Sequence, residues 1–155
     1  MSKEKTPPRR LARAQAFQIL YGLNFSPVQT IEALAETYAG SPDNADKNID
    51  PAHPEGFAWE LIEGVWSNHR ALDEVIARFA KNWRVERIGK IEITLLRLAV
   101  YEMLHRQDVP PKVAINEAIE LSKQFGDDKS RNFVNGILDA AAKALQDGTL
   151  TPRTV

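Results

Sequence analysis

The chain has 155 residues, three histidines, no cysteine and a formal net charge of −1. That length suits one domain that buries roughly 68–70% of its unfolded surface without a disulfide or metal staple. The missing cysteine excludes thiol nucleophiles, iron–sulfur clusters and cysteine-ligated zinc, and it suits a reducing, cytoplasmic setting.

Charge is polarised along the chain. Residues 1–21 carry five basic residues against Glu4, a balance of +4, and the remainder stands at −5. A basic arm on a mildly acidic body points to one localised polyanion site. "MSKEKTPP" (1–8) reads as a flexible basic tail without the apolar stretch of a signal peptide. A single all-helical domain is expected over 9–148, with a second flexible tail at 149–155. The first helix is predicted from Arg9 or Arg10 to Asn24. "SPVQ" (26–29) offers a capping serine, a proline at the first helical position and a glutamine at the third, predicting a short helix over 27–38. Residues 40–54 are rich in turn formers and read as a loop.

Apolar residues then recur at helical spacing from Glu55 to Asn82, with a break or bend expected near Ser67–His69. Residues 85–106 are apolar around most of their circumference and predict the central, most buried helix. Lys90, Glu92, Arg97 and Glu102 interrupt that stretch, so it is not a membrane span. "DVPP" (108–111) stops it, and Lys112–Phe125 follows with Gly126 as its C′ cap. Phe133–Leu145 closes the fold. No strand pattern occurs, and the reading is an all-α bundle of six to seven helices.

Nothing in the chain assembles a reaction. His53, His69 and His105 share no metal-ligand spacing, "GK" (89–90) lacks the rest of a phosphate loop, and no nucleophile elbow or serine–histidine–acid set is present. The expectation is a binding protein rather than an enzyme, with no cofactor and no metal.

Three places point to binding. On a helical wheel Arg10, Arg13, Phe17 and Tyr21 follow one edge, with Arg9 beside them. Cations are disfavoured at a helix N-terminus, so a cluster there suggests an external anion. Cations and aromatic faces together are what single-stranded RNA requires. The plainer alternative makes Phe17 and Tyr21 core residues. Glu92 falls within the apolar sector of the central helix, where a carboxylate needs a partner. It is either ion-paired to an arginine such as Arg13, or set at the rim to accept from a base or a partner protein. Finally, Asp127, Asp128 and Ser130 are candidate caps of the last helix. They would leave Lys129 and Arg131 near free backbone N–H groups that also favour phosphate. Phe133 lies at the edge of that helix's apolar face, as core or as contact.

"RRLARAQAFQILY" (9–21), "IEITLLRLAVYEM" (91–103), "DVPPKVAINEAIELSKQFGDDKS" (108–130) and "FVNGILDAAAK" (133–143), in this order, resemble the NusB family of bacterial transcription antitermination factors. The resemblance implies two packed helical subdomains. It also implies binding to the single-stranded boxA element of ribosomal RNA leaders together with NusE, a small-subunit ribosomal protein. That pair would join RNA polymerase and other Nus factors. Carried over by position, it assigns RNA contacts to Arg9, Arg10, Arg13, Tyr21, Glu92 and Phe133, to which the free N–H groups at the start of the last helix add Lys129 and Arg131. Leu11 and Asn132 depart from the basic residues common in relatives. A helical protein-interaction module or a homodimer that covers the RNA site is the alternative. The similar helical domain of ribosomal RNA cytosine methyltransferases would require a cysteine and a cofactor domain, and neither is present.

Overall fold

Among the described residues there are six α-helices: α1 Pro8–Leu23, α2 Ile31–Ala39, α3 Phe57–Phe79, α4 Lys90–His105, α5 Pro111–Phe125 and α6 Asp128–Asp147. The computed structural model describes residues 8–152, so most of the two expected tails lies outside the described residues. Single 3₁₀ turns stand at Pro42–Asn44 and Val85–Arg87, and no strand occurs among the described residues. The all-α expectation is met. The helices form two units, one ending at Trp66 and the other beginning at Ser67.

In the first unit, Ala16, Phe17, Leu34, Ala35, Leu61 and Ile62 are buried. The second helix does not start at "SPVQ". The N–H groups of Phe25 and Ser26 both donate to the carbonyl of Gly22, so Ser26 completes the last turn of α1 instead of opening α2. Thr30 is the cap: its hydroxyl accepts from the Ala33 N–H at 3.1 Å, and Glu32 lies in the first turn, where the helix dipole favours an anion. Buried polar contacts shape the 40–54 loop. Asn44 donates to the Tyr38 carbonyl at 2.7 Å, and Gln15 donates to the Ser41 hydroxyl at 3.1 Å.

α3 is continuous, without the expected break at Ser67–His69. Val65 and Leu72, seven residues apart and both buried, keep the apolar face in register across the polar triplet, two turns of helix carrying it over. The boundary between the units nonetheless falls there.

In the second unit, α4, α5 and α6 pack on one another. α4 begins at Lys90, later than its apolar pattern suggests, because Ile88 is extended (φ −72°, ψ 139°) and Gly89 is the N-cap. It is the buried centre that was expected, with Leu95, Leu96, Leu98 and Leu104 almost wholly enclosed. Arg97 grips Asp73 of α3 through two hydrogen bonds of 2.8 and 2.9 Å, a fork geometry that orients as well as attracts.

Gly126 does not adopt the left-handed conformation of a C′ cap; its φ is −121°. Its absent side chain matters through space instead: a Cβ there would lie 3.0 Å from the Ser130 Cβ. α6 starts five residues before Phe133 because Asp127 caps it, accepting from the Ser130 N–H at 2.8 Å. Gly148, at φ 85°, ends it in the left-handed conformation. The body runs past the expected boundary at 148. Leu150 is buried and its N–H donates to the Ala144 carbonyl, while Arg78 donates to the Thr149 carbonyl at 2.6 Å.

Candidate nucleic-acid interface

The residues singled out from the sequence fall into one group in each unit. In the first, Arg9 and Arg13 share a single ring: their guanidinium carbons lie 4.2 and 5.2 Å from the centroid of Phe57. Arg9 is exposed and Arg10 half-buried, but Arg13 is only 4% exposed. On a helical wheel Arg13 falls beside Leu20, so its long stem turns inward with the apolar face and its guanidinium lies near the Phe57 ring. Arg13 is therefore not an outward-facing cation like Arg9.

Further along α1, Phe17 and Tyr21 stack at 5.8 Å with an interplanar angle of 12°, and Tyr21 meets Phe25 edge-on at 5.2 Å. Burial falls steadily along this ladder. Phe17 is core, as its plainer reading has it, Tyr21 is half-buried and Phe25 is 61% exposed. Neither Phe25 nor Phe57 was singled out from the sequence. The four-residue spacing from Phe17 through Tyr21 continues to Phe25 and was a legible signal, whereas Phe57 looked like ordinary core of the next long helix.

The second group lines a cleft of about 470 Å³ between the segment that joins α3 to α4, the start of α4 and the start of α6. Trp83, Glu92, Lys129, Ser130 and Phe133 face it. Trp83 and Phe133 meet at 5.6 Å and 80°, forming an aromatic corner. Trp83 is 55% exposed and Phe133 half-buried.

Glu92 occupies the third helical position after Gly89 and is half-buried. The Ser130 hydroxyl donates to its Oε2. A Cβ on Gly89 would collide with Oε1, so the carboxylate lies folded over the glycine. The fully buried acid of α4 is instead Glu102, at 1% exposure, for which the sequence reading made no claim. Asp127 sits at the mouth of the cleft. The Ser130 backbone N–H, then the Ser130 side chain, hold its pKa below the ordinary carboxylate value, and Lys129 adds a smaller effect.

Lys129 is exposed at the rim, as is Arg87. Arg131 lies on the same turn as Lys129, but its guanidinium donates to Asp128 at 2.6 Å. Glu92, Lys129 and Phe133 are thus brought together, and Arg131 is held to one side. Trp83, Arg87 and the Ser130 hydroxyl were missed. Trp83 follows Lys81 and Asn82 where the apolar period of α3 has ended, and an aromatic there was the available cue.

Chemically the cleft offers ring faces, an anchored carboxylate acceptor and flanking cations: the means to hold and read a planar ligand carrying phosphate. Among the described residues, no three His, Cys, Asp or Glu side chains gather to hold a metal ion, and no helix is long and apolar enough to cross a membrane.

The NusB family model matches residues 10–143. A transcription antitermination protein NusB of Oleidesulfovibrio alaskensis is 71% identical over 150 residues, covering 97% of both chains. That of Myxococcus xanthus is 42% identical over 137 residues, covering 88% of this chain and 96% of its own. Among solved structures, NusB of T. maritima is similar at 35% identity with a TM-score of 0.71, covering 90% of this chain and 93% of that one. A crystal structure of antitermination factors NusB and NusE in complex with double-stranded RNA is similar at 27% identity and a TM-score of 0.68, covering 88% and 96%.

Proposed function

This chain belongs to the NusB family, and on that premise we propose that it is a transcription antitermination factor. It binds boxA RNA of ribosomal RNA leaders together with NusE and supports processive antitermination by RNA polymerase with other Nus factors. It works in the cytoplasm as a binding protein, without catalysis or cofactor. The observation that carries the RNA reading is the cleft in which Phe133, Glu92 and Lys129 converge.

Within it, Phe133 offers a ring to a base, Glu92 accepts from a base amino group and Lys129 meets phosphate. On α1, Arg9 and Arg10 contact phosphates and Tyr21 supplies a second stacking face. Arg13 acts through Phe57 by holding the start of the helix in place, and Arg131 reaches RNA by exchanging Asp128 for a phosphate.

A second reading, duplex RNA, is favoured by the similar structure that holds NusB and NusE with double-stranded RNA. The exposed rings of Trp83 and Phe25 favour the single strand, because a duplex hides the base faces on which they could stack. Titrating single-stranded boxA RNA and its duplex, with and without NusE and over a range of salt, separates these readings. The expected result is preference for the single strand, tighter binding with NusE, and a log–log salt slope near −3 for about four single-strand phosphates. Equal or better duplex binding supports the second reading. A homodimer that dissociates only when RNA is added supports self-association over the RNA site.

A further inference from the structure

Trp83 is a large apolar side chain left 55% exposed just beyond α3, in a chain that buries most of its aromatic surface. Burial of its own area is therefore not what retains an indole there. It stands at the wall of the 470 Å³ cleft, nearly perpendicular to Phe133. Two perpendicular rings make a corner in which a third planar group can lie flat on one ring while its edge meets the other. The remaining lining narrows what that group is. Arg87 and Lys129 are exposed at the rim and favour an anionic ligand, whereas the Glu92 carboxylate, steadied by the Ser130 hydroxyl, requires N–H donors on the group inside. A planar group with donors on its edge and phosphates on its flanks is a nucleotide with its base turned out of the stack.

We propose that Trp83 is a specificity-determining residue of the RNA site: with Phe133 it forms a two-walled seat for one unstacked nucleobase, placing the base edge against Glu92. This rests on the single-stranded RNA reading above. It adds a residue that no motif had singled out, and it makes the cleft a base-sized site rather than one stacking platform. The seat belongs to RNA and not to a protein aromatic, because Arg87 and Lys129 at the rim outnumber Asp127 at the mouth while a carboxylate stands inside.

The test uses the full chain and single-stranded boxA RNA in which each nucleotide in turn is replaced by an abasic one. Trp83→Ala is expected to weaken binding of intact RNA by about five- to a hundredfold, and Trp83→Phe by less than about threefold, since the π-face survives. At one abasic position, wild type and Trp83→Ala are expected to bind equally, because the lost base and the lost ring are the same contact. A thermal melt unchanged by Trp83→Ala ties the loss to the interface; if that variant melts early, Trp83→Leu, which keeps apolar bulk but has no ring, takes its place with the same loss expected. Unchanged affinity of both variants for intact RNA overturns the seat while leaving the RNA reading standing. So does a loss that persists at every abasic position, or one that appears only with NusE present. Failure of the wild type to bind any of these RNAs overturns the RNA reading itself.

Discussion

The two groups of candidate side chains are built from similar ingredients and use them differently. Around α1, the cations rest on an aromatic: Arg9 and Arg13 both lie over Phe57, and Arg13 is buried in the process. Around α6, the rings of Trp83 and Phe133 touch only at a corner, the carboxylate is anchored beside them and the cations stay at the rim. A guanidinium on a ring gives part of its electrostatic attraction to the fold, so on our proposal the first group mixes stability with phosphate affinity. The second group leaves Trp83 uncovered, as the first leaves Phe25, but sets it beside an anchored carboxylate in a cleft, where on our proposal a ligand covers it. The difference teaches that a cation resting on a ring is partly committed to the fold, whereas a ring left bare keeps its face open.

The largest expected effect tests that division inside α1. Arg13→Ala should cost about 2–3 kcal/mol of folding stability, through lost stem packing and the lost contact with Phe57, in a denaturant melt. Arg9→Ala should change stability by less than about 1 kcal/mol and instead reduce the steepness of the RNA salt slope by about one unit. If Arg13→Ala melts normally and flattens the slope, both arginines serve RNA and the comparison fails.

A smaller effect isolates the acid of the second group. Gly89→Ala places a methyl against the flexible end of Glu92, whose carboxylate can swing aside at little cost to the fold. RNA affinity should drop by about 1.5–3 kcal/mol, as for losing a charged hydrogen bond. Combining it with Glu92→Ala should add nothing further. Additive losses, or normal binding by Gly89→Ala, would show that the position of Glu92 is not what RNA reads.

The smallest effect sharpens how the second group is held. Because Asp127 has a lower pKa folded than unfolded, its contribution is fully present above its ordinary value of 3.8 and is lost as pH falls through the lower, folded value. Melts taken down to about pH 3 should lose stability more steeply in the wild type than in Asp127→Asn, which keeps a capping oxygen but does not titrate there. Parallel acid limbs would remove Asp127 from the account.

Much of this protein follows from local rules that act within a few residues. Apolar periodicity placed the long helices, since a helix must bury one face wherever it ends up, and Asp127 lay among the caps foreseen for α6 because a cap is satisfied by its own next turn. The order of the RRLARAQ, VAINEAIELSK and FVNG segments was enough to identify the family. Helix starts were less legible. Ser26 and Thr30 are both chemically able to cap, and the choice between them rested on hydrogen bonds to the end of α1. What only the tertiary structure decided is which charge is buried and which rings meet. A wheel put Glu92 in the apolar sector and Arg13 at an edge; the fold buries Glu102 and Arg13 and leaves Glu92 half-open. Likewise nothing near Trp83 in the chain announces Phe133. Periodicity reports that a helix has an apolar face, but a charged or aromatic side chain's fate depends on the groups that chain closure brings against it, and those lie far away in sequence.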